Sequence, residues 1–287
     1  MTSDSRCFDC SAKAFAKLLD QENLSCEQKE EFNSRMVATY NESKADFSAP
    51  AFARELHTIL REYTQQSDPY HQVKKQSNDL VLSLYPEFKA MVIHDNDPFD
   101  KALRLSIAGN IIDFAVSSQF DLLATIDHVL SSDFAINHAD QLRIALHEAN
   151  SVLYLGDNCG ELVFDKLFIE TIMHPNLRFA VRGAPAINDA TMDDAKYVNM
   201  HLAADLISNG YDAPSTLLQH CSDEFIEAFN HADVIISKGQ GNLEGLLGNT
   251  NKRVFFLLMV KCDVMAQKLN VCKGDFVVID NQTINSL

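Results

Sequence analysis

Glycine divides this chain in two. Of its ten glycines only Gly109 precedes residue 150; the other nine fall between Gly156 and Gly274. Glycine-poor sequence with apolar residues at 3.6-residue spacing builds helices. Glycine recurring between apolar runs punctuates strand–loop–helix units. Residues 1–145 are therefore expected to form a helical region, and residues 146–287 an α/β unit with a doubly wound, largely parallel sheet. In the first region, helical periodicity covers Cys10 to Asp20, Ser25 to Tyr40, Ala49 to Tyr63, Leu103 to Ser117 and Phe120 to Leu130. Ser25 with Gln28 forms a capping pattern. The polar stretch Gln65 to Asp79 reads as a loop running into a helix. In the second region the strand candidates are Val152–Leu155, Arg178–Val181, Val234–Ser237, Val254–Leu258 and Phe276–Ile279. Helix candidates between them are Leu162–Ile172, Asp193–Asn209, Asp223–His231, Leu243–Leu247 and Asp263–Leu269.

With 287 residues, 46% of them hydrophobic, the chain can bury a substantial core. A formal net charge of −16 argues against nucleic acid as the main partner, because phosphate backbones recruit Lys and Arg. A small anionic substrate needs only a local positive site. No apolar run approaches the ~20 residues that span a bilayer, and the first residues lack a signal-peptide layout. Seven scattered cysteines fit a reducing, cytoplasmic setting better than a disulfide framework.

Chemistry is expected where strands end, because ligands in open α/β sheets bind at the carboxyl edge. Asp157 and Asn158 follow the strand Val152–Leu155, and their oxygens suit a hard divalent cation. Either could instead cap the next helix. Asn188 and Asp189 again set an amide beside a carboxylate after the following strand, where Thr191, Asp189 or Asp193 could serve as a cap. Lys238-Gly239-Gln240-Gly241-Asn242 runs from a strand through a glycine loop into a helix. It is neither a Walker loop nor a dinucleotide fingerprint, but its N–H groups could converge on an anion. Lys261 ends a buried strand, either reaching solvent or neutralising an anion. In the helical region Asn110 and Asp113 share one face beside Gly109, as if approaching something polar in the other half. Cys7 and Cys10 are either a functional pair or small buried residues.

These segments, in this order, resemble the metal-dependent damage-control phosphatases, long catalogued as a domain of unknown function; Cys7-x-x-Cys10 is similar to their prokaryotic-type branch. The resemblance covers nearly the whole chain. It implies a helical portion packed on a Rossmann-like α/β domain, and one divalent metal (Mn, Mg, Co or Ni) held by Asp157, Asn158 and Asp189. It also implies small phosphometabolites as substrates. The catalytic set expected on this basis is Asp157, Asn158, Asp189 and Lys261. Asn110, Asp113, Asn188, Lys238, Gly239, Gly241 and Asn242 are expected to contact substrate. Methyl transfer from S-adenosylmethionine to protein carboxyl groups and non-catalytic binding of a phosphorylated ligand are the competing expectations. The sequence is silent on oligomeric state.

Overall fold

The computed structural model describes residues 4–109 and 119–283. The chain opens with helices α1 (Ser5–Gln21), α2 (Cys26–Ser43), α3 (Ala49–Thr64), α4 (His71–Ile93), α5 (Pro98–Gly109) and α6 (Gln119–Ser131). It continues through β1 (Phe134–Asn137), α7 (Ala139–Glu148), β2 (Val152–Leu155), α8 (Glu161–Ile172), β3 (Leu177–Val181), α9 (Met192–Tyr197) and β4 (Asp205–Ser208). It closes with α10 (Asp223–His231), β5 (Val234–Lys238), α11 (Gly239–Leu246), β6 (Val254–Met259), α12 (Asp263–Leu269) and β7 (Phe276–Asp280). The Ser25–Gln28 capping box is present at the start of α2. The stretch after Gln65 is a short loop leading into the long α4.

The seven strands form one sheet in the order β1-β7-β6-β5-β2-β3-β4. Neighbours are parallel except β6 and β7, which are antiparallel. The expected α/β architecture holds, with two strands beyond those read from the sequence. β1 lies before residue 145 and joins the sheet edge through β7. β4 replaces the second half of the helix expected over Asp193–Asn209; α9 ends at Tyr197 and the chain turns into an edge strand on β3. Asn110 and Asp113, and most of the expected helix after Gly109, lie outside the described residues. No helix among the described residues is long and apolar enough to cross a membrane, and all seven cysteines are free.

Alternation along the strands decides which helix each residue meets. Val152 and Tyr154 of β2 pack into the core shared with α4, α5 and α8; Leu153 and Leu155 face the opposite core, shared with α10, α11 and α12. The same pleat puts Val234 and Ile236 of β5 on the α8 face, and Lys238, two further on, with them. Helices α1 to α3 keep a core of their own around Phe15, Phe32, Phe52 and Leu56. β2 and β5 are neighbours whose chains then wind in opposite directions, β2 toward β3 and β5 toward β6. A crevice therefore opens above their carboxyl ends.

Candidate active site

A cavity of about 340 Å³ occupies that crevice, lined by Asp157, Asn158, Ile187, Asn188, Asp189, Pro214, Gln240, Gly241 and Lys261. A larger depression of about 430 Å³ lies at the opposite, strand-start edge among Ser151, Arg178, Glu227 and His231. The strand-end crevice is the one on which the loops after β2, β3, β5 and β6 converge.

Asp157 and Asn158 do not cap α8. Gly160 occupies the N-cap position with φ +82° and makes no side-chain cap bond. Its N–H donates instead to Asn78 Oδ1 of α4 at 2.6 Å. Likewise α9 is capped by Thr191 and Asp194, which form a capping box, so Asp189 is not needed there. Helix capping thus explains none of Asp157, Asn158 and Asp189. The two loops are stitched together by backbone bonds, Ala190 N–H to Asp157 O at 2.8 Å and Cys159 N–H to Asn188 O at 2.9 Å. Ile187 carries φ +50°, a costly conformation for a β-branched residue; it bends the loop just before Asn188 and Asp189.

Two buried carboxylates, Asp157 at 8% and Asp189 at 3% exposure, face this joint. Arg182, directly after β3, links them: Nε donates to Asp189 Oδ2 at 2.6 Å and Nη2 to Asp157 Oδ1 at 3.2 Å. Burial pushes the Asp157 carboxyl well above the usual carboxylate range; Asp189 and Glu161 push the same way, while Arg182 and Lys261 pull it back. Asn158 Nδ2 donates to Asp157 Oδ2 at 2.9 Å and to Glu161 Oε2 at 3.2 Å. Both amide hydrogens are thus engaged inside the protein, which leaves Oδ1 as the atom of this side chain able to act as a ligand.

The donor set fits a hard cation. Among the described residues no three His, Cys, Asp or Glu side chains converge on a metal position; the oxygens gathered at this crevice are those of two carboxylates and one amide. Asp157, Glu161, Asp165 and Asp189 are all buried, with Arg182 and Lys238 as the buried cations beside them. Even counting Lys261 at the rim, carboxyl groups outnumber basic groups, so the cluster favours further positive charge. Close packing preserves the carboxylate position: a Cβ on Gly239, whose φ is +78°, would fall 1.8 Å from Asp157 Oδ2.

Two residues expected in the crevice serve elsewhere. Lys238 is fully buried beneath it. Its ammonium donates to Glu161 Oε1, to Asp165 Oδ1 at 2.7 Å and to Ser106 O at 2.8 Å, which uses all three hydrogens. Burial works to discharge Lys238, yet Asp165 and Glu161 together hold its pKa above the usual value. Burial pushes Asp165 up to about 7 against the pull of Lys238. Asn242 is fully buried as well. Its Nδ2 donates to Gly156 O and Lys238 O, and its Oδ1 accepts from Arg182 Nη1 at 2.9 Å and Thr216 Oγ1 at 2.9 Å. It is a strut between loops. Gly239 and Gly241 belong to the first turn of α11 and not to a preceding loop. Gly241 lines the crevice, and a Cβ there would meet Pro214 O at 2.2 Å.

Gly109 makes the close approach its sequence setting implied: a Cβ there would lie 2.9 Å from Glu161 Cα. Sequence reasoning missed Arg182, Glu161 and Asp165 as parts of the site, and Lys74 and Asn78 of α4 as its supports. A usable signal existed. Glu161 and Asp165 stand at i,i+4 on a helix otherwise dominated by Leu, Val, Phe and Ile, so one buried face carries two acids.

Residues 3–277 match the profile of the damage-control phosphatase ARMT1-like domain. A damage-control phosphatase of Pyrococcus horikoshii is 35% identical over 252 residues, covering 86% of this chain and 85% of that one. A damage-control phosphatase of Archaeoglobus fulgidus is 33% identical over 232 residues, 78% of this chain and 80% of its own. The crystal structure of a DUF89 family protein from Pyrococcus horikoshii superposes with a TM-score of 0.90 at 29% identity, over 98% of this chain and 99% of that one. With strand-end carboxylates, fold and sequence all in agreement, the chain belongs to the damage-control phosphatase ARMT1-like family.

Proposed function

We propose that this protein is a metal-dependent phosphatase that hydrolyses small phosphometabolites such as sugar phosphates or damaged phosphorylated intermediates. One observation carries the reading. Two buried carboxylates and an inward-locked amide, on loops that no helix cap requires, meet at the switch point of the sheet. Asp157, Asn158 and Asp189 would hold one divalent cation, with Mn, Mg, Co and Ni all suited to these oxygen donors. When bound, that cation supplies Lewis-acid polarisation of a phosphoryl oxygen.

The chain's own residues do the rest. Arg182 fixes the separation of Asp157 and Asp189. Lys261, at the crevice wall, offsets charge on the phosphoryl group, and Gln240 and Gly241 of the first turn of α11 line the same space. Asn188 stands where it can orient the substrate. The crevice volume suits a small metabolite.

The test is phosphate release from a panel of sugar phosphates and an aryl phosphate, using metal-stripped protein with Mg, Mn, Co or Ni restored. Release is expected to require metal. Asp157→Ala should lower it by about 10³-fold or more while leaving the melting temperature near the parent's. No release with any metal, from folded protein, would redirect attention to methyl transfer or ligand binding.

A further inference from the structure

We infer that Glu161, held by Lys238, is a positioning residue that keeps the Asn158 amide oxygen turned toward the metal. The inference rests on the metal reading above and adds to it the device that sets the orientation of one ligand. An asparagine side chain is a ligand only by its oxygen, yet its two ends are nearly identical in shape. Something must choose between them. Asp157 Oδ2 and Glu161 Oε2, at 2.9 and 3.2 Å from Asn158 Nδ2, make that choice. Turning the amide over would set its oxygen against two carboxylate oxygens at those distances. Asp157 is itself expected to be drawn toward the cation, so Glu161 is the partner that stays in place.

Glu161 is fixed from three sides. Its Oε1 accepts from Lys238, whose other two hydrogens go to Asp165 and Ser106 O. Its Cα is pressed by Gly109 of α5, where a Cβ would come within 2.9 Å. It is the first residue of α8, directly after the Gly160 N–H that Asn78 binds. Stability alone does not demand this carboxylate, because Asp165 already pairs with Lys238 at 2.7 Å. What Glu161 supplies beyond Asp165 is an acceptor aimed at Asn158.

Glu161→Gln keeps the shape but replaces one oxygen with an amide nitrogen. With its own oxygen on Lys238, the new amide presents hydrogens to Asn158, which favours the turn that puts its oxygen inward and its nitrogen to the metal, with only Asp157 left to oppose it. The pair Asn158→Asp with Glu161→Gln restores an acceptor–donor match between these two positions at unchanged total charge, while giving up the hydrogen bond to Asp157. The experiment is calorimetric titration of Mn into metal-stripped protein, with thermal unfolding as the control. Glu161→Gln is expected to bind Mn at least about tenfold more weakly than the parent, the scale of lost ligand support. The double variant is expected to regain most of that loss. Unchanged affinity in folded Glu161→Gln would overturn the inference. So would a double variant that binds no better than Glu161→Gln, or that fails to fold. If Glu161→Gln alone does not fold, a folded double variant that binds Mn supports it. A parent protein that binds no Mn would overturn the metal reading itself, and this inference with it.

Discussion

At the scale of single residues, contact decides the roles. Gly239 has its place because Asp157 leaves no room for a side chain. Gly239→Ala would demand a left-handed conformation costing an L residue about 1–2 kcal/mol and would displace the Asp157 carboxylate. The expected outcome is a folded protein with weakened Mn binding by calorimetry; parent-like affinity would show that the carboxylate tolerates displacement. Asp157, Asn158 and Asp189 were legible in the sequence because polar residues after apolar strands reach the crevice whichever way neighbouring helices pack. Lys238 and Asn242 were not. A lysine ending a strand reads the same whether it faces ligand or helix, and the choice here is made by Glu161 and Asp165, 77 and 73 residues away. Asn110 and Asp113 remain expectations, outside the described residues.

At the scale of elements, α4 is the support that the sequence concealed. Its Lys74 and Asn78, one turn apart, both turn inward. Lys74 bridges Asp68 at 2.8 Å and Asp194 at 2.9 Å, and so steadies the cap that follows Asp189; Asn78 holds the turn that follows Asn158. The polar stretch Gln65 to Asp79 gave no hint of this, since buried and solvated lysines look alike in a sequence. Lys74→Met would leave two carboxylates without their cation, and a stability loss of about 3 kcal/mol is expected by urea denaturation. The missed strands have a similar explanation. β1 and β4 are four-residue edges with one buried position each, so neither presents a long apolar run. Leading into β4, Val198, Leu202 and, within the strand, Leu206 recur at four-residue spacing, which imitates a continuing helix. The inner strands β2, β5, β6 and β7 are almost wholly buried, and their apolar runs announced them.

At the scale of the molecule, the core of α1 to α3 carries its own acid sensitivity. His57 is buried between Phe15 and Tyr70, and burial, aided by Arg61, lowers its pKa from 6.5 to about 4. The unfolded chain therefore takes up this proton first. Stability should be level above pH ~6.5, fall as pH drops toward ~4, and lose up to about 3 kcal/mol through this group. Urea midpoints across that range check it, and His57→Leu should flatten the slope; an identical slope in the variant would assign the loss elsewhere.

The buried face of α8 also dictates an order of assembly. Glu161 and Asp165 are sealed against a lysine that the ribosome adds more than seventy residues later. Until β5 exists, docking α8 would bury two acids with no cation to meet them, which is costly. A nascent chain shorter than residue 238 should therefore hold this helix loosely. Chains truncated before and after Lys238 should differ sharply in hydrogen-exchange protection of α8; equal protection would show that the helix docks without its cation. Completion of the crevice is thereby tied to synthesis of the strand beneath it.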